Sequence, residues 1–86
     1  MKEEPPVIYA GECQIVADVE LQRKFGKRLR YLRRDRDITQ EQLAELIDRS
    51  VSFISLLEKG ESSPSLETIA KLAKALDVEV AELFKF

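Results

Sequence analysis

The sequence predicts an all-α domain of five short helices, and three observations support this prediction. Apolar residues recur at helical spacing from about residue 20 onward. Residues that cap helices stand directly before several of these apolar runs. Only three Gly and three Pro occur in 86 residues, so little turn chemistry is available for a many-stranded sheet. This length suits one domain with a modest core and leaves no space for a separate catalytic unit.

Residues 1–19 differ in character from the rest and are expected to form an N-terminal arm or a short hairpin. Two β-favouring runs, 7–9 and 14–17, lie on either side of Ala10-Gly11, which fits a turn. An isolated hairpin is only marginally stable in water, so it would have to pack on the helices or on a second chain. A mobile tail is the open alternative.

The first helix is predicted to begin near Glu20, where the apolar spacing becomes helical. Four residues fall on one stripe and are expected in the core: Leu21, Phe25, Leu29 and Leu32. The net charge is −2, yet residues 20–37 carry eight basic and three acidic side chains. This local positive charge is either a solvated face or a means of attracting DNA, and both interpretations stay open.

The second and third helices are predicted from their caps. Thr39 and Gln42 form the pattern of a capping box, and Ser50 fits the N-cap of the next helix. Gly60 fits the left-handed position that ends this third helix. The inward positions of the two helices are apolar: Leu43, Ala44, Ile47, Ile54 and Leu57.

The fourth helix follows a turn segment in which either Ser63, with Pro64 after it, or Ser65 is the N-cap. Its expected inner face consists of Leu66, Ile69, Ala70, Ala73 and Leu76. Asp77-Val78 interrupts this pattern. A short fifth helix is then indicated by Val80, Leu83 and Phe84.

Residues 39–60 have the pattern of a helix-turn-helix. Two short helices that cross closely need a small residue at the crossing, and Ala44 supplies it. The turn needs a residue that tolerates a left-handed backbone, and Asp48 is an acceptable substitute for the usual Gly. Because buried aliphatic residues also follow at the required offsets, several independent constraints coincide in this one segment.

Residues 25–84 resemble the helix-turn-helix domain of the phage repressor and Cro type, and in particular the controller proteins of restriction–modification systems. The matching stretches are FGKRLRYLR (25–33), TQEQLA (39–44), ISLLEKG (54–60), PSLETI (64–69), ALDV (75–78) and ELF (82–84). The resemblance implies a compact five-helix, phage-repressor-like DNA-binding domain over residues 20–86. It also implies a sequence-specific transcriptional regulator without cofactor that binds a palindromic operator as a dimer.

The resemblance further implies roles for single residues. Residues 50–59 would form the recognition helix in the major groove, and Gln40 and Lys59 would contact phosphates, Gln40 with help from backbone amides of its helix. The residues expected to contact DNA are Thr39, Gln40, Arg49, Ser50, Val51, Ser52, Ser55, Leu56 and Lys59. Arg33 and Glu58 match a partly buried ion pair that ties the first helix to the third.

The sequence departs from the family pattern on the expected DNA-binding face. Arg49 stands where relatives usually have an aliphatic turn residue. Val51 and Leu56 can touch thymine methyl groups but cannot donate hydrogen bonds to bases. Residues 39–60 hold two basic and four acidic side chains. A protein-interaction module, such as an antitoxin or an adaptor that uses the same fold, is therefore the alternative function.

The C-terminal segment has more apolar residues than a tiny helix can bury. Val80, Leu83, Phe84 and Phe86 are accordingly expected to contribute to a two-fold homodimer interface. Phe53 is interpreted as half-buried packing rather than as a base contact.

Catalysis and metal binding are not expected. Cys13 is the only cysteine and no histidine occurs, so an intrachain disulfide, a His-based triad and the usual metal sites are excluded. Cys13 is interpreted as structural or incidental, with a redox-sensing thiol as the alternative. No run approaches the ~18 apolar residues of a membrane span. The first residues do not resemble a secretory signal, so a cytoplasmic location is expected.

Overall fold

The computed structural model describes the backbone of residues 10–86 and the side chains of residues 19–86. Within residues 10–86 the chain forms four α-helices and no strand. They are α1 (Ala10–Asp35), α2 (Gln40–Leu46), α3 (Val51–Lys59) and α4 (Leu66–Leu76), followed by a 3-10 helix (Val80–Phe84). The all-α class is confirmed, while the predicted fifth helix is a 3-10 helix rather than an α-helix.

The first helix is longer than the sequence predicts. Residues 10–19 form its first turns, so the arm or hairpin expected over this stretch is not what the structure contains there. After Gly11 no helix-breaking residue interrupts the run into the amphipathic segment, and Glu12, Ala17 and Glu20 all favour helix. The β-branched pair Ile15-Val16 is only a weak local preference that a continuing helix overrides. Residues 1–9 lie outside the described part of the chain.

Three helices begin at capping side chains. The Thr39 hydroxyl accepts from the Gln42 amide at 3.0 Å, and the Gln42 side chain accepts from the Thr39 amide at 2.9 Å, which confirms the capping box. Ser50 caps α3 by accepting from the Phe53 amide at 3.1 Å. For α4, the cap is Ser65 and not Ser63. Each cap satisfies an amide that the helix itself leaves unpaired.

All four α-helices end in the same kind of turn. A residue with positive φ follows the last helical turn, at Asp37 (57°), Asp48 (60°), Gly60 (77°) and Asp77 (57°). The amide of the next residue then donates to a carbonyl five residues back, as from Arg49 to Ala44 at 2.9 Å and from Val78 to Ala73 at 2.9 Å. Asp occupies three of these positions, and it is one of the few residues other than Gly that adopt the left-handed backbone.

The core joins all these elements. Its fully or nearly buried apolar residues are Phe25, Leu29, Leu32, Leu43, Ala44, Ile47, Ile54, Leu57, Ile69, Leu72, Ala73, Leu76 and Leu83. Three residues expected in the core are instead exposed. Leu21 is 48% exposed and Leu66 is 84% exposed, because each lies at the margin of its helical stripe, and Ala70 points outward. On α4, Thr68 and Leu72 occupy the inner positions instead.

The 3-10 helix is attached to α1 by apolar packing and by hydrogen bonds. Leu83 is fully buried in the core. Arg28 donates from Nε to the Glu82 carbonyl at 2.7 Å and from a second nitrogen to the Glu82 carboxylate at 3.0 Å. A hydrogen bond from Lys85, together with the positive charges of Lys85 and Arg28, lowers the pKa of the Glu82 carboxyl. Glu82 therefore stays ionised over the neutral range and keeps its ion pairs with Arg28 and Lys85.

Gly26 lets α1 cross α3 with the two backbones in contact. A Cβ at this position would meet the Leu57 carbonyl oxygen and lie 2.7 Å from the Glu58 carbonyl oxygen. The obstruction is backbone on a packed helix, so it cannot be relieved by turning a side chain. Only a residue without a side chain permits this crossing.

Replacement of Gly26 by Ala should lower the free energy of unfolding by about 1–3 kcal/mol, because α1 and α3 must separate. This loss would outweigh the gain of roughly 0.5–1 kcal/mol that Ala normally gives over Gly inside a helix. Urea denaturation followed by circular dichroism measures the difference. An unchanged or raised midpoint would mean that the two helices can move apart at little cost.

Candidate nucleic-acid interface

The helices α2 and α3 are joined by a four-residue turn, residues 47–50. Ile47 anchors the turn in the core at 2% exposure, and Asp48 takes the predicted left-handed backbone. Ala44, 2% exposed, is the small residue at the crossing. Short helices joined by a tight turn of this kind form a helix-turn-helix. The motif predicted over residues 39–60 is therefore present in the fold.

One face of α3 is buried and the opposite face is exposed. Ile54, Leu57 and Glu58 point inward. The outward residues are Val51, Ser52, Leu56 and Lys59, with Ser55 half-buried at their edge. Val51 is 38% exposed and Leu56 is 40% exposed, so the outer face presents apolar surface between short hydroxyl side chains. This is the face on which the sequence predicts base contacts.

A buried ion pair fixes the inner face of α3 to α1. Arg33 Nε donates to one Glu58 oxygen at 2.6 Å, and a second nitrogen donates to the other oxygen at 3.2 Å. The two side chains are only 10% and 4% exposed. Arg33 also donates to the Ile38 carbonyl at 2.7 Å in the turn after α1. The structure thus brings together the pair that the family resemblance implies.

Gln40 belongs to the same network, which the sequence does not indicate. Its side-chain nitrogen donates to Glu58 at 2.9 Å, so Glu58 accepts from both α1 and α2. The expected role of Gln40 was a phosphate contact. One amide hydrogen is committed to Glu58, and the second has no acceptor among the described residues and is available to an outside partner. The carboxylate therefore orients the amide at the start of α2.

The hydroxyl groups at the helix starts also have internal roles. Thr39 and Ser50 both accept a backbone hydrogen bond as caps. A hydroxyl that accepts in this way can still donate its own hydrogen. Both residues are exposed, so each hydroxyl hydrogen is open to solvent at the start of its helix.

Arg49 lies over the ring of Phe53. The guanidinium carbon is 3.7 Å from the ring centroid, a stacking distance. Phe53 is half-buried and packs against the core, as expected, and so provides a fixed base for the arginine. The predicted DNA-contact residue Arg49 is therefore ordered by a neighbour on the first turn of α3.

The charge near α3 is more favourable to an anion than the residue counts suggest. Of the four acidic residues in the helix-turn-helix, Glu58 is buried against Arg33 and adds no net negative charge. Glu41 and Glu45 lie four residues apart on the exposed side of α2, and Asp48 is exposed in the turn before α3. The two cations, Arg49 and Lys59, flank α3 at its two ends. The outer face of α3 itself bears no carboxylate.

The C-terminal apolar set divides into buried and exposed residues. Leu83 is fully buried within the chain, so the prediction that it contributes to a dimer interface is wrong. Val80, Phe84 and Phe86 remain 46%, 39% and 56% exposed. Phe84 contacts Phe25 and Phe86, with ring centroids 5.4 and 6.3 Å apart. Phe84 lines a surface cleft with the exposed Leu21, and Leu21, Phe84 and Phe86 together are called the C-terminal apolar patch.

Membrane-spanning helices and metal sites are two further features to consider in the described residues. No helix among them is long and apolar enough to cross a membrane. The same part of the chain contains no group of three or more His, Cys, Asp or Glu that could hold a metal ion.

Comparison with known proteins gives one family and a consistent set of relatives. A family model described as helix-turn-helix matches residues 29–83. The phage CTXphi transcriptional repressor RstR of Vibrio cholerae is 44% identical over 59 residues, which are 69% of this chain and 53% of the repressor. The control protein C.MunI of a Mycoplasma species is 34% identical over 71% of this chain and 84% of that protein.

The solved structures agree with this result. The restriction–modification controller protein C.AhdI from Aeromonas hydrophila superposes with a TM-score of 0.72 at 46% identity, covering 73% of this chain and 96% of that one. The chain spans about half the length of the first curated relatives that it matches. The relatives are regulators rather than enzymes by name.

Replacement of Glu58 by Gln should lower the free energy of unfolding by about 3 kcal/mol, because it leaves the buried Arg33 without a counter-charge. Urea denaturation at neutral pH measures the loss. The control is Glu61→Gln, an exposed change in the next loop that should stay within about 0.5 kcal/mol of wild type. Equal effects of the two variants would show that the ion pair adds nothing to stability.

Proposed function

The chain belongs to the helix-turn-helix family, and from this premise we propose that it is a transcriptional regulator that binds double-stranded DNA with α3 in the major groove. The observation that carries the proposal is the two-sided character of α3. Its inner face is locked to α1 and α2 by apolar packing and by Glu58, while its outer face has no partner within the described residues. A helix held so rigidly is suited to present side chains to base edges.

The dimensions of α3 support this assignment. An α-helix with its side chains is about 10–12 Å across and so fits the ~12 Å width of the major groove of B-DNA. The nine residues of α3 extend about 14 Å along the helix axis. Lys59 at the far end would reach a phosphate, and the free amide hydrogen of Gln40 would donate to another. These contacts would set the orientation of α3 on the duplex.

Base preference is proposed to come from the outer face of α3. Val51 and Leu56 would contact thymine methyl groups, while the hydroxyls of Ser50, Ser52 and Ser55 are short enough to donate or accept at close range. Thr39, the N-cap of α2, would also contact the DNA. We propose no catalytic step and no cofactor for this surface, and we expect the protein to act in the cytoplasm.

We further propose that two copies bind a palindromic operator. The C-terminal apolar patch supports a homodimer, because large apolar side chains on one side of a small domain favour a second subunit. A two-fold dimer would present two copies of α3 to half-sites about one DNA turn apart. The relatives described as a phage repressor and controller proteins are consistent with such a regulator.

The second candidate is a protein-interaction module. It is favoured by the apolar residues on the outer face of α3 and by Leu46, which is 60% exposed on α2. In that case a protein rather than DNA would cover Val51 and Leu56. The two functions are separated by the DNA-binding measurement below.

The variant Leu56→Glu should weaken DNA binding about tenfold or more, because it replaces a methyl contact with a charge that repels phosphate. Fluorescence anisotropy with a duplex selected in vitro measures this, and wild-type binding should weaken steeply with salt. The control is Leu46→Glu, the same change at the end of α2 beside Lys71 and Lys74. It should leave affinity within about twofold of wild type. Absent or salt-insensitive wild-type binding would reject the DNA-binding proposal.

The variant Phe86→Asp should shift the protein from dimer to monomer at tens of micromolar, because it puts a charge into the C-terminal apolar patch. Size-exclusion chromatography with light scattering gives the mass directly. Tyr31→Asp, which alters an aromatic residue that is 60% exposed on α1, is the matched control and should remain dimeric. A monomeric wild-type protein would remove this part of the proposal.

A further inference from the structure

We propose that Arg49, held on the ring of Phe53, reads a guanine in each half-site of the bound DNA. This inference rests on the proposed function and specifies one position of its target sequence. Arg49, in the turn before α3, would then supply hydrogen bonds to a base that most of the outer face of α3 cannot supply.

The first argument is that Arg49 occupies a position that packing alone would fill differently. In each helix-ending turn, the residue after the positive-φ residue donates its amide back to the helix. After α1 and α4 that residue is Ile38 or Val78, and both are partly buried against the core, whereas after α3 it is the exposed Glu61. An apolar contact of this kind is the usual accompaniment of the turn. At the equivalent place after α2 stands Arg49, which is exposed.

The second argument is the geometry of the stack. The guanidinium carbon lies 3.7 Å from the centre of the Phe53 ring. Stacking occupies the flat face of the guanidinium and leaves the N–H groups at its edge free to donate. Among the described side chains, none forms an ion pair or a hydrogen bond with this guanidinium. The donors are therefore oriented by Phe53 and are not used by the described side chains.

The third argument is the chemistry of the neighbouring residues. Val51 and Leu56 donate no hydrogen bonds, and Ser52 and Ser55 have short side chains. Arg49 is the only long side chain with several donors at the start of α3. Of the four bases, guanine offers two acceptors, O6 and N7, in the major groove, and a planar arginine matches them with two parallel hydrogen bonds. A phosphate would accept the same donors, so the test must separate the two.

The role of Phe53 in this arrangement is to position Arg49. A long arginine side chain loses rotamer entropy when it binds in one conformation. The stack imposes much of that restriction before DNA arrives, which favours one direction of approach to the base. Phe53 itself is partly buried in the core and is not assigned a base contact.

The experiment compares base preference rather than affinity alone. In-vitro selection with the full wild-type chain identifies the bound duplex, and anisotropy then measures binding to that duplex and to versions with each guanine replaced by adenine. For the wild type, replacing one particular guanine in each half-site by adenine should weaken binding about 10- to 100-fold. Arg49→Ala should lose this discrimination and bind both duplexes equally. Arg49→Lys should retain the charge but lose most of the preference, because an ammonium cannot form the planar pair.

Two further variants complete the test. Phe53→Leu keeps an apolar residue in the core but removes the ring, and it should reduce the guanine preference several-fold while thermal melting confirms the fold. Lys59→Ala, a proposed phosphate contact, should weaken binding to all duplexes alike and reduce the salt slope by about one. The same uniform loss in Arg49→Ala would identify a phosphate contact and overturn this inference alone. No effect of Arg49→Ala would also overturn it, whereas wild-type failure to bind DNA would reject the proposed function itself.

Discussion

A carboxylate on the inner face of α3, Glu58, accepts hydrogen bonds from two other helices, and the position of the exposed face depends on it. Arg33 binds both of its oxygens from α1, and Gln40 donates from the start of α2. Such a buried charge is stable only while its partners are complete. The same group therefore fixes the crossing of α1 with α3 and the angle between the two helices of the motif. Gly26 complements it by allowing the backbones to touch where that polar bond is made.

This arrangement changes how the charge of the protein should be read. The chain is acidic overall, with a net charge of −2. Yet the carboxylate of α3, Glu58, is paired internally with Arg33, and the cations Arg49 and Lys59 lie at the two ends of α3. Interactions with a phosphate a few ångströms away respond to this local distribution, because salt screens more distant charges over about 8–10 Å. Net charge is thus a poor guide to the partner of a domain of this size.

The features that can be predicted from the sequence are those specified by residues close together in the chain. The capping box at Thr39 and the left-handed turn at Asp48 were recognisable because each is specified within a few neighbouring residues. The ion pair between Arg33 and Glu58 came from family resemblance, not from periodicity. The bond from Gln40 to Glu58 and the helical residues 10–19 were missed. The hydrogen bond depends on how two side chains 18 residues apart in sequence are oriented in the fold. The helical start of α1 depends on a helix continuing through residues that have a weak preference for strand.

The helix-ending turns also affect how soon after its synthesis this domain is folded. Because Asp37, Asp48, Gly60 and Asp77 each close a turn with bonds to residues only a few positions earlier, little loop entropy opposes their formation. Small helical domains with mainly local contacts fold in microseconds to milliseconds. Synthesis of 86 residues takes about 4 to 17 seconds at cellular rates of roughly 5–20 residues per second. The delay between the start of synthesis and a folded domain is therefore set by the translation of these residues, and folding adds almost nothing to it.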